Sequence, residues 1–159
     1  MADHSAVAEF KQGIQLLQEG YPAEAHDRFY RAVELEKQNA YYISFLGVSE
    51  ARGKKNWAAA ANHCETAIGL KRNESQFYIN LAEVYLSAGR RADAVAVLDR
   101  GLIYVTDDPR LKRARARLGR RRSLLLPFLE RGHFLNRILG KLRYRIVARL
   151  WKSVNSNGL

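Results

Sequence analysis

The fold turns on one stretch of the chain: Leu81-Ala82-Glu83-Val84-Tyr85-Leu86-Ser87-Ala88-Gly89-Arg90-Arg91-Ala92-Asp93-Ala94-Val95-Ala96-Val97-Leu98-Asp99-Arg100-Gly101. Leu81, Ala82 and Tyr85 share one face of a helix. Gly89 interrupts the pattern, and Ala94, Leu98 and Gly101 resume it at spacings of four and three. A helix, a turn and a second helix follow. Ala82 and Ala94 are small enough to let the two helices cross closely, and Leu81, Tyr85 and Leu98 fill the space between.

Outward from this stretch the same arrangement recurs. Upstream, one segment carries Gly13, Leu16, Gly20, Ala25, Phe29 and Ala32, and another carries Leu46, Gly47, Ala60, Cys64 and Ala67. Gly13, Gly47 and Ala82 are equivalent, as are Ala25, Ala60 and Ala94, and each step is 34 or 35 residues. A fixed period of this length signals stacked helical hairpins sharing one core. The extra residue of the second unit falls in Gly53-Lys54-Lys55-Asn56. Gly20 and Gly89 suit left-handed helix ends. Asn39 and Asn73 suit N-caps, the latter with Gln76 as its capping-box partner.

These residues and spacings resemble the tetratricopeptide repeat over residues 6–107. Some positions depart from the family pattern. Its tryptophan position holds Glu9, Ile43 and Tyr78, its closing proline position holds Lys37, Arg72 and Thr106, and an aromatic position holds Glu50. The expected fold is all-α: a right-handed superhelix of antiparallel helix pairs, with repeats at 6–39, 40–74 and 75–107. Helices are expected at 6–18, 22–36, 40–52, 56–70, 74–87 and 91–105. The alternative is three unrelated hairpins in a plain bundle.

The resemblance places the first helix of each pair along a concave groove. It assigns Val7, Phe10, Ile14 and Leu17 to that groove in the first unit. Tyr41, Ser44, Val48 and Ala51 follow in the second, and Gln76, Ile79, Glu83 and Leu86 in the third. A mostly apolar groove suits an apolar partner, an amphipathic helix or an extended peptide. Members that capture the acidic tail of chaperones carry lysine, arginine and asparagine in this groove. Here Phe10, Ile14 and Phe45 stand at such places and only Asn80 remains, which argues against a carboxylate clamp. Occupation by the chain's own C-terminal part, or by a second copy in a homo-oligomer, is the alternative use of the surface.

The 159 residues carry a formal charge of +11, unevenly placed. Residues 1–108 hold 12 basic and 15 acidic side chains, and residues 109–159 hold 15 basic ones against Glu130 alone. A slightly acidic body therefore carries a strongly cationic extension, expected as helical over 108–152 with a flexible tail at 153–159. Asp108 as N-cap and Pro109 at the first helical position start a helix to about Arg122. Leu111, Ala114 and Leu118 form its thin apolar stripe, giving the first half of a fourth unit. A basic amphipathic helix is expected from about 130 to 152, with Leu135, Ile138, Leu139, Leu142, Ile146 and Leu150 on one face. Arg110, Arg113, Arg117, Arg120, Arg121, Arg122, Arg137, Lys141, Arg145 and Arg149 are the candidates for contact with an anionic surface. That surface would be a membrane met through 130–152 or a nucleic acid or ribosome bound through phosphates; alternatively the helix packs on the protein or a second partner and leaves the arginines solvated.

No catalytic constellation is present, and none of the phosphate-loop or hydrolase motifs occurs. His4, His26, His63 and His133 lack partner spacing, and His26 and His63 read as structural. The single cysteine, Cys64, excludes an internal disulfide and reads as a small core hydrophobe. No enzyme activity, cofactor or metal is expected. The N-terminus has no secretory character and the longest apolar run, 124–129, is too short to span a bilayer. The expected location is the cytoplasm, with peripheral attachment at the inner face of a membrane as an option. The function expected from all this is that of an interaction adaptor.

Overall fold

The computed structural model describes residues 2–119. Among them are seven α-helices: α1 (Ala2–Glu19), α2 (Pro22–Leu35), α3 (Ala40–Ser49), α4 (Trp57–Leu70), α5 (Ser75–Ser87), α6 (Arg91–Tyr104) and α7 (Pro109–Arg117). They pair as hairpins α1/α2, α3/α4 and α5/α6. Each pair stacks on the next through α2/α3 and α4/α5, and α7 packs on α5 and α6.

Local chemistry sets the boundaries. Gly20 and Gly89 have φ of +89° and +73°, a left-handed conformation that only glycine adopts freely, so they stop α1 and α5. Asn39 caps α3, its side-chain oxygen accepting from the Tyr41 amide at 3.1 Å. Asn56 caps α4 through the Ala59 amide, and Asp108 caps α7 through the Arg110 amide at 2.7 Å.

The helices approach closely where glycine stands. A Cβ on Gly47 would lie 2.7 Å from the Ala60 carbonyl oxygen and 2.8 Å from Cys64 Sγ. One on Gly13 would meet the Phe29 ring at 2.6 Å, and one on Gly101 the Tyr78 ring at 2.7 Å. Large side chains fill the rest: Phe29, Phe77, Tyr78, Leu81, Leu98 and Leu111 are fully buried. Full burial of a Phe or Leu side chain contributes about 1.5–3 kcal/mol. One buried cluster runs from Ile43 through α4, α5 and α6 to Leu111, and Ala114 and Leu118 pack against it.

Several local expectations are corrected. The helix over 108–122 ends at Arg117, with Gly119 at φ +68° beyond it. Glu74, and not Asn73, caps α5, its carboxylate accepting from the Gln76 amide. The Gln76 side chain turns instead to Asn80. The first helix begins at Ala2, ahead of residue 6. The extra residue of the second unit is taken up inside the helix, where α3 continues as a π-helical turn over Glu50–Lys54. A π turn spaces its hydrogen bonds one residue wider than an α turn, so one residue is accommodated without breaking the helix. Lys55, at φ 56°, then redirects the chain into α4.

Candidate peptide groove

Along α1, Val7, Phe10, Ile14 and Leu17 recur at spacings of three, four and three, which keeps them on one face. Val7 is 40% exposed, and the other three are half-buried. Phe10 is the hinge of an aromatic cluster, with ring centroids 5.5 Å from Phe29, 4.8 Å from Tyr42 and 5.4 Å from Phe45. Along α5, Gln76, Ile79 and Glu83 are half-buried and Leu86 is 40% exposed.

The middle unit departs from the sequence expectation. Ser44, Val48 and Ala51 are buried and offer no side-chain surface. α3 packs against α2, α4 and α5, in the middle of the described array. Ser44 Oγ accepts from Asn80 Nδ2 at 2.9 Å, and Asn80 Oδ1 accepts from Gln76 Nε2 at 2.8 Å. This chain ties α5 to α3 and satisfies a buried amide that would otherwise be costly. On α3 and its π turn, accessible residues that touch α1 or α5 include Tyr41, Phe45 and Arg52. Tyr41 packs edge-on against Phe77 at 5.0 Å, Phe45 against Phe10, and Arg52 pairs with Glu83 at 2.5 Å. Sequence reading missed Arg52, although it lies one turn past the face that holds Val48.

The N-terminal ends of α3, α5 and α7 meet in a polar network. The Tyr41 hydroxyl donates to Glu74, which holds the phenol above its usual range, with partial burial adding to the effect. Arg110 reaches Asp108 at 2.8 Å, Ser75 Oγ at 2.9 Å and Glu74 at 3.8 Å. Hydrogen bonds from Arg110 and then from Ser75 hold the Asp108 carboxyl well below the usual carboxylate range. Arg110 is thus committed within the fold. Arg115 is committed too, to Asp99 on α6 at 2.5 Å. Among the described residues, Arg113 donates only to the Pro109 carbonyl of its own helix and Arg117 has no ion pair. Arg120, Arg121, Arg122, Arg137, Lys141, Arg145 and Arg149 lie outside the described residues, as does the helix expected over 130–152.

A second polar cluster joins α2 to the π turn. His26 on α2 is buried, its Nε2 2.6 Å from Glu50 in the π turn, and Lys54 Nζ stands 3.7 Å from the same carboxylate. The signal in the sequence was Glu50 at an aromatic position, but its partner stands 24 residues earlier and no local spacing reveals it. Among the described residues no group of His, Cys, Asp and Glu is arranged to hold a metal ion, and no helix is long and apolar enough to cross a membrane.

The tetratricopeptide repeat family profile matches residues 51–118, which run from the π turn through α7. A search of curated protein sequences gives no match. Several solved structures share the fold. The TPR domain of Arabidopsis OM64 superposes with a TM-score of 0.61 at 17% identity, over 74% of this chain and 97% of that one. The second TPR domain of human RPAP3, in complex with an HSP70 peptide, gives 0.61 at 15% identity, over 76% and 100%. The Yersinia enterocolitica type III secretion chaperone SycD, in complex with a peptide of the translocator YopD, gives 0.58 at 19% identity, over 70% and 84%. The repeat period, the helix pairing and these likenesses agree on the tetratricopeptide-repeat fold, and residues 51–118 match the tetratricopeptide repeat family itself.

Proposed function

We propose that the protein is an adaptor whose repeats hold an apolar peptide, helical or extended, in the groove lined by α1, α3 and α5. The observation that carries this is the row of accessible apolar side chains on the first helices of the pairs, Val7, Phe10, Ile14 and Leu17 on α1 and Ile79 and Leu86 on α5. The likeness to peptide-bound repeat structures supports the reading. The positions that would bind an acidic chaperone tail hold Phe10, Ile14 and Phe45, and Asn80 is buried and already bonded to Ser44. The groove therefore favours apolar over purely acidic peptides. The cationic residues 109–159 would fix the assembly to an anionic surface or to a second partner.

The test is selection of peptides from a random display library on the full chain and on an Ile14→Glu, Ile79→Glu variant. The reading expects a recurring apolar motif on the full chain and its loss on the variant. No motif, or the same motif on both, contradicts it.

A further inference from the structure

The repeat register runs on past the third pair. Gln76, Ile79 and Glu83 on α5 have counterparts 34 residues later at Arg110, Arg113 and Arg117 on α7. The packing agrees with this register: Leu111 is fully buried in α7 as Phe77 is in α5, again 34 residues apart. Arg110 contacts Ser75 and Glu74 at the start of α5, so this face of α7 is turned toward the α5 side. Arg113 and Arg117 follow three and seven residues later on that same face. Both are exposed, and neither has a carboxylate partner among the described residues. The other arginines of this side are neutralised, Arg52 by Glu83 and Arg110 by Asp108.

From this geometry we infer that α7 is a fourth wall of the groove, and that Arg113 and Arg117 select partners in which the apolar stretch is flanked by carboxylates. The inference rests on the peptide-adaptor reading and specifies the partner's chemistry. The apolar part of the partner lies on α1 and α5, and its acidic flank reaches α7. Arg113 and Arg117 call for an acidic occupant, which the chain's own remainder does not offer. Residues 120–159 contain Glu130 as their single acidic side chain among ten basic ones, the wrong sign for two unpaired arginines.

The experiment repeats the display selection on the full chain and on the Arg113→Gln, Arg117→Gln variant, followed by titration of the best selected peptide at two salt concentrations. Thermal melting checks that the variant folds. The expected result is Asp and Glu enriched on one side of the apolar motif with the unmodified chain and absent with the variant. The selected peptide should lose about five- to tenfold in affinity, the scale of two exposed charge pairs. An Arg113→Lys, Arg117→Lys variant should recover most of that loss. An apolar motif without acidic flank overturns this inference and leaves the adaptor reading standing. An acidic flank that persists on the Gln variant places the charge contact elsewhere, in 120–159 among other sites, and also overturns it. Selection of no motif removes both.

Discussion

Arg52 in the π turn of the second unit and Glu83 on α5 of the third are joined across the repeat boundary, Nη2 to Oε1 at 2.5 Å. Their side chains remain 43% and 33% exposed, so solvent screens the pair. A double-mutant cycle of Arg52→Ala and Glu83→Ala should give a coupling of only about 0.2–1 kcal/mol. A coupling several times larger would mean that the pair is sealed from water in solution.

The unit boundaries depend far more on close packing. Gly47→Ala drives a methyl group against the Ala60 carbonyl oxygen, so the backbone of α3 or α4 must shift. The expected cost is about 1–3 kcal/mol by urea denaturation. Gly69→Ala is the control. It sits within α4 with nothing within 4 Å of its Cβ, and should stabilise by about 0.5–1 kcal/mol. Equal responses at the two sites would refute the assignment of Gly47 as a point of close approach between α3 and α4.

These crossings were legible in the sequence because a repeat reports each contact several times. Gly13 and Gly47 occupy one register, and each packs where the period puts it. What was not legible depends on particular neighbours. Burial of Ser44 and Val48 is particular to α3, since their counterparts Ile79 and Glu83 on α5 stay half-buried, and a register shared by all units cannot express that difference. The His26–Glu50 pair joins residues in different units, and the π turn reconciles an insertion that sequence alone places in a loop. Arg113 and Arg117 were visible as charges. The sequence already put them on the first half of a fourth unit, and the full burial of Leu111, 34 residues after the equally buried Phe77, supports that register.

Cys64 should be nearly inert in the folded protein. Burial pushes its thiol up to about 12 from a reference of 9.0. The thiolate fraction near pH 8 is then roughly a thousandfold lower than for a free cysteine. Ellman's reagent should label it slowly in buffer and at once in guanidinium. Fast native labelling would show that α3 and α4 separate readily.

His63 gives a pH dependence of known sign. Burial lowers its pKa from 6.5, with nearby His26 acting the same way and Glu50 opposing. Above pH 6.5 the neutral ring is present folded and unfolded alike, and stability is complete. As pH falls through the window below 6.5 the unfolded chain takes up the proton first, and stability declines. His63→Gln should flatten urea midpoints between pH 7.5 and 5. An unchanged slope in the variant assigns the effect to another group.

The most direct measurement is an amide chemical-shift titration of the isotope-labelled full chain with the peptide that display selects most strongly. Shifts should concentrate on α1, α3 and α5, at Val7, Ile14, Tyr41, Ile79 and Leu86, and should reach Arg113 and Arg117 on α7. Shifts confined to α2, α4 and α6, centred on exposed residues such as Tyr30 and Leu70, would contradict a groove on the first helices.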